Sequence, residues 1–262
     1  MRLKFKALSL LLLAVLLLTS CGIGTVGKPP SGGGNISMGG GMQYRFTSDE
    51  YKIAVFKNGA PSDFWARNDR GNGQPFNCSF SNSNAVIDDG LLTLSLTKSG
   101  SGYAGAEYRT RTKYSYGFYS VKMKATKCPG VISSFFTYTN WPWDEIDIEF
   151  LGDDTTRVQF NYYTNGVGGH EYLYELGFDA SEDFHEYAFD WQPDSITWYV
   201  DGKPVYRATK DIPSHAGQIM MNIWNVADSH KDWAGQFDPS KLPVTAQYEW
   251  IGYQSVDDTL DK

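Results

Sequence analysis

An all-β sandwich is the fold class the sequence predicts, on three observations. Segments with period-two apolar patterning recur along the chain, each bounded by Gly, Asp, Asn or Pro. An Asp-Gly pair sits between two such segments at Asp201-Gly202, the favoured chemistry of a two-residue hairpin. Beyond the first twenty residues, long capped stretches of 3.6-residue period are missing. The composition agrees: 15% of the 262 residues are aromatic, and 27 are Gly, enough to fill a β core and supply many tight turns.

The amino terminus carries a different signal. Arg2, Lys4 and Lys6 precede a nearly unbroken apolar run from Ala7 to Leu18, which is shorter than the ~20 residues needed to cross a bilayer as a helix. This is the anatomy of a cleaved secretory leader over residues 1–20. Its end, Leu18-Thr19-Ser20-Cys21, resembles a bacterial lipobox, which implies that Cys21 becomes a lipidated amino terminus and holds the protein outside the cytoplasm at the bacterial membrane. Loss of the leader deepens the formal charge from −7 to about −10. So acidic a surface excludes nucleic acid as an expected partner. Residues 21–42, with Lys28-Pro29-Pro30-Ser31-Gly32-Gly33-Gly34 and Gly39-Gly40-Gly41, offer almost nothing to bury and are predicted to be a flexible linker. A single domain is expected over 43–255, followed by a short tail at 256–262.

Within that domain, Leu91 to Leu96, Gly117 to Lys124 and Val158 to Tyr163 are expected strands. Ile196 to Val200 and Lys203 to Tyr206 form the predicted hairpin, in which Pro204 marks an edge because it cannot donate to a ladder. The segment richest in chemical information is Trp143 to Gly152. Alternation there places Glu145, Asp147 and Glu149 on one face and Ile146, Ile148 and Phe150 on the other. The apolar face must enter the core, so three carboxylates look into solvent or a cleft.

Like charges at that spacing oppose one another's ionisation, which keeps at least one group protonated. Retaining glycoside hydrolysis needs that division: one ionised carboxylate to attack and one protonated carboxyl about 5–5.5 Å away to assist departure. Residues i and i+4 on a flat strand rise about 13 Å, so strand geometry alone does not bring Glu145 and Glu149 together. A calcium site and an ordinary acidic surface are the alternatives the pattern leaves open. His170, His185, His215 and His230 have no ligand spacing, and no zinc-helix, nucleophile-elbow or phosphate-loop motif is present.

The run Asp144-Glu145-Ile146-Asp147-Ile148-Glu149-Phe150-Leu151-Gly152 resembles the signature of glycoside hydrolase family 16, in its lichenase (1,3-1,4-β-glucanase) branch. Ser133 to Thr139, Val158 to Gly166, Tyr187 to Pro193 and Met220 to Asn225 resemble lichenase segments as well, so that the likeness extends over nearly all of residues 64–254. It implies a jelly roll of two curved antiparallel sheets with a substrate cleft on the concave face, and a monomer acting on β-glucan without a required cofactor. By the same resemblance, Glu145 matches the nucleophile, Glu149 the general acid/base and Asp147 an assisting carboxylate. Glu107, Arg109, Phe136, Tyr138, Trp143, Asn161, Tyr163, Trp224 and Trp233 match substrate-contacting positions. A xyloglucan-type endotransglycosylase and a non-catalytic glucan-binding protein are the other functions on such a frame.

Two departures from the family pattern stand out. The partner commonly expected for Cys78 is replaced by Gly105, which leaves Cys128 as the other thiol able to pair with it. The turn between Tyr138 and Trp143 is short. A structural calcium is frequent in the family, but Glu249 stands where an Asp ligand is expected, so no metal ligand is assigned here.

Overall fold

The computed structural model describes residues 49–257. The leader, Cys21 and the linker to residue 42 lie outside the described residues, as do residues 43–48 and 258–262. Sixteen strands make up the described fold. In chain order they are β1 (Lys52–Val55), β2 (Phe64–Ala66), β3 (Ser79–Phe80), β4 (Ala85–Asp88), β5 (Leu91–Ser99), β6 (Gly102–Tyr114), β7 (Gly117–Lys124) and β8 (Val131–Thr139). They continue as β9 (Asp144–Leu151), β10 (Arg157–Tyr163), β11 (Tyr172–Glu175), β12 (His185–Gln192), β13 (Ser195–Val200), β14 (Lys203–Ala208), β15 (Gly217–Asn225) and β16 (Val244–Ser255). The helical content among the described residues is a few 3-10 turns and one α-helical turn at Lys231–Ala234. The predicted all-β class is the observed one.

Two antiparallel sheets face each other. The front sheet runs β11-β10-β9-β8-β15-β6, with β2 on the outer side of β6. The back sheet runs β5-β16-β7-β12-β13-β14, and the end of the β5–β6 hairpin joins the two. Their inner faces make one apolar layer. Ile146, Ile148 and Phe150 enter it from β9, and Val121, Phe189, Trp198 and Tyr248 from the opposite sheet, all essentially without exposure. Two buried hydrogen bonds cross the layer: Trp198 Nε1 donates to the Asp147 carbonyl at 3.1 Å, and Tyr248 Oη donates to the Ser134 carbonyl at 3.0 Å. Each satisfies a polar tip that burial would otherwise penalise, and each fixes a front-sheet strand against the back sheet.

The hairpin expected at Asp201-Gly202 forms, with positive φ at both residues (46° and 74°), the backbone a type I′ turn requires. Pro204 lies on β14, the outermost strand of its sheet, where a missing amide breaks no ladder. Cys78 and Cys128 are both free thiols, so the pairing considered from sequence does not occur. Burial pushes the Cys78 thiol up to about 11 and keeps it protonated. Gly105 is required by space: a Cβ there would sit 2.3 Å from the Ile223 carbonyl oxygen and 3.1 Å from Cys78 Sγ. Backbone contact fills the place where the family pattern has a second sulfur.

Replacing Trp198 by Phe removes the cross-sheet donor, strands the Asp147 carbonyl and opens a small void. Denaturant unfolding is expected to show a loss of about 1–3 kcal/mol.

Candidate active site

Register across the front sheet decides which side chains share the face turned away from the core. Glu145, Asp147 and Glu149 of β9 pair with Tyr138, Phe136 and Ser134 of β8 and with Tyr163, Asn161 and Gln159 of β10. Phe136 and Ser134 in turn oppose Met220 and Asn222 of β15, which oppose Arg109 and Glu107 of β6. Trp65 of β2 opposes Arg109. Directly paired residues point the same way, so one face gathers side chains from six strands. A flat, bare face would leave them solvated. Instead Glu107 and Asp147 keep only 1% and 4% of their surface, and Phe136, Asn161, Asn222 and Trp224 are also buried. The face is therefore a hollow, with walls at both ends of β9.

At the Glu145 end, Trp143 Nε1 donates to Glu145 Oε2 at 2.7 Å, and the indole stacks on Tyr163 with centroids 4.5 Å apart. At the Glu149 end, Gln159 Nε2 donates to Glu149 Oε2 at 2.9 Å while its Oε1 accepts from Trp233 Nε1 at 3.1 Å. Trp233 thus reaches the site through Gln159, a link the sequence did not reveal. Trp233 lies 6.1 Å from Trp224 in a second apolar cluster, where Phe76 stacks on Trp224 at 3.9 Å. The register of β9 is regular against both neighbours, without a bulge.

Burial, first of all, raises all three carboxyls. Glu145 rises to about 7, held down in part by hydrogen bonds from Trp143 and Asp147. Glu149 rises to about 8, with the charge of Glu145 as the next cause. Asp147 is pushed well above the usual carboxylate range by burial and then by the charges of Glu145 and Glu149. Asp147, raised the most, holds a proton and donates it toward Glu145, while the charge of Glu145 raises Glu149, so that the three groups titrate together.

The far side of the hollow holds a charged group that sequence reasoning found only in part. Glu107 sits between Arg67 Nη1 at 3.3 Å and Arg109 Nη1 at 3.5 Å. Arg67 also binds Asp69 and the Asn72 side chain, and the Arg109 guanidinium lies 4.3 Å over the Trp65 ring. Arg67, Asp69 and Trp65 were missed because they lie before the recognisable motif. Glu107 Oε1, which has only the ion pair to Arg109, and Arg109 Nε and Asn161 Oδ1 are buried polar atoms with no hydrogen-bond partner, as expected of groups shaped to hold hydroxyls. Asp144, beside the nucleophile position, has a structural task. It accepts from the backbone of Asn165, Ser214 and His215 and from His215 Nδ1, and so pins two loops to the start of β9.

No group of three or more His, Cys, Asp or Glu among the described residues is arranged to hold an ion. Glu249, where the family pattern has an Asp ligand, pairs with Lys122 at 2.9 Å.

A hollow sheet face that sets two wall-bonded glutamates either side of a buried aspartate, among aromatic rings and hydroxyl-binding groups, defines a glycoside hydrolase. Comparison with known proteins narrows this. The family described as "Glycosyl hydrolases family 16" matches residues 72–252, and the chain belongs to that family. A beta-glucanase of Acetivibrio thermocellus is 51% identical over 208 residues, covering 77% of this chain and 61% of the relative. A xylanase/beta-glucanase of Ruminococcus flavefaciens is 51% identical over 77% of this chain, which spans 26% of that larger protein. The chain therefore covers less than two thirds of either relative. Among solved structures, a prokaryotic beta-1,3-1,4-glucanase (lichenase) from a mouse hindgut metagenome superposes with a TM-score of 0.75 at 52% identity, over 78% of this chain and 98% of its own.

The hydrogen bond from Asp147 lowers Glu145, so its removal must raise Glu145. In Asp147→Leu the acid limb of the kcat/KM profile is expected to move to higher pH, whereas Asp147→Asn, which retains a donor, moves it less. A pH–rate series on the three proteins checks this.

Proposed function

We propose that the chain is an endo-acting hydrolase that cleaves 1,4-β bonds in mixed-linkage 1,3-1,4-β-glucan with retention of configuration. The observation that carries this reading is the placement of Glu145 and Glu149 on one hollow face, either side of the buried Asp147 and each held by a side chain of the wall. Trp143 donates to Glu145 Oε2 and Asp147 donates toward the same carboxylate, which orients Glu145 to attack the anomeric carbon. As that bond forms and the glycosidic C–O bond breaks, Glu149 gives its proton to the departing oxygen. A water then attacks the glycosyl-enzyme, its proton passes to Glu149, and Glu145 is released as carboxylate. Arg109, Glu107 and Asn161 hold hydroxyls, Trp143, Tyr163 and Tyr138 offer flat apolar faces to sugar rings, and Trp224 backs the far wall from beneath Phe76. The unbulged β9 and the beta-glucanase relatives support this substrate class.

Digestion of barley β-glucan, laminarin, xyloglucan and carboxymethyl cellulose side by side is the direct test. Rapid depolymerisation of barley β-glucan alone is expected, with Glu145→Gln and Glu149→Gln reduced at least about 10³-fold. Full activity of Glu145→Gln ends the mechanism, and product elongation on added oligosaccharide acceptors points to a transglycosylase.

The leader and Cys21 support placement outside the cytoplasm, tethered by lipid. Labelled fatty acid should enter the wild-type protein and be absent from Cys21→Ala.

A further inference from the structure

Four large hydrophobic residues are exposed among the described residues, and three of them cluster at the Glu145 end of the hollow. Trp141 is 89% exposed, Val167 65% and Trp143 38%. Trp141 stands in the tight turn Asn140 to Trp143 that joins β8 to β9, the strands that carry Tyr138 and Glu145. Four residues separate it from Glu145, so their Cα atoms are at most about 14 Å apart.

The turn is held from several sides. Tyr138 Oη donates to Asn140 Oδ1 at 3.2 Å, and the Gly166 amide donates to the Trp143 carbonyl at 2.7 Å. Trp143 is fixed further by Glu145 and Tyr163. A large aromatic surface on a pinned turn loses little freedom when a ligand covers it. So exposed an indole also needs a reason, and this one stands two positions before Trp143, at the end of the hollow where that indole stacks on Tyr163.

We propose that Trp141 is a sugar-stacking platform on the rim, adding a contact for the glucan chain outside the sealed part of the cleft; this rests on the reading of the protein as a β-glucan hydrolase. The occupant is a glucosyl unit of the same polymer that fills the hollow, because the turn that carries Trp141 joins the two strands that bear Tyr138 and Glu145. Its apolar ring face is presented to the indole as other units are to Trp143 and Tyr163.

Kinetics of the wild type, Trp141→Ala and Trp141→Phe on barley β-glucan test the assignment. Trp141→Ala is expected to raise KM by about three- to tenfold, with the effect on KM and not on kcat, while Trp141→Phe stays close to wild type. Its melting temperature should match the wild type, since so exposed a ring supports no core. An unchanged KM in Trp141→Ala overturns the proposal, as does an equal loss in Trp141→Phe. Affinity electrophoresis of the same proteins through soluble β-glucan separates the two readings. If the wild type is retarded but does not hydrolyse, the hydrolase reading fails, and lesser retardation of Trp141→Ala still upholds the platform. If all three migrate alike, with or without hydrolysis, the platform fails.

Discussion

The site depends on how β9 is buried. Ile146, Ile148 and Phe150 are sealed between the sheets, and Trp198 from the back sheet hydrogen-bonds the Asp147 carbonyl between them. Side chains alternate along a strand, so anchoring the apolar set leaves the carboxylates one orientation, outward into the hollow. A slip of one residue in register would drive three carboxyls into the core and expose three apolar side chains. The energetic gap against that alternative is large, and it makes the position of the acids dependable without any bond to the acids themselves.

The hollow then sets their chemistry. Sealing Asp147 at 4% exposure between two glutamates makes its ionisation unfavourable, so it remains a donor and helps to hold Glu145 in the attacking form. Such an arrangement has a cost for the fold. Carboxyls whose folded values are raised bind more protons than the unfolded chain. Their contribution to stability is fully present below the ordinary carboxylate range and is lost as pH rises through about 8 for Glu149. The protein is least supported by these groups where the general acid gives up its proton.

The two ends of β9 are built differently. At the Glu149 end, Trp233, Gln159 and Trp224 form a packed wall rooted in an apolar cluster with Phe76, Phe80 and Val226. At the Glu145 end the wall is thin, a four-residue turn braced by Asp144 and its backbone partners. The charged group of Glu107, Arg67 and Arg109 lies across the sheet from both, set on β6 and the segment after β2. Although set on a separate strand, this group is not independent of the carboxylates, because the charge of Glu107 raises Glu145.

Alternation in the sequence by itself determined the β class, the Asp201-Gly202 hairpin, the edge position of Pro204 and the facing of Glu145, Asp147 and Glu149, because each follows from local backbone geometry. Resemblance added roles for residues on other strands. Tertiary structure alone decided what local rules do not contain: that the face is hollow, that Glu145 and Glu149 feel one another's charge, and that Gln159 links Trp233 to Glu149. It also decided that Arg67 braces Glu107 and that Cys78 remains a free thiol. Sheet curvature and cross-strand register arise from packing between residues far apart in the chain, and no window of sequence records them.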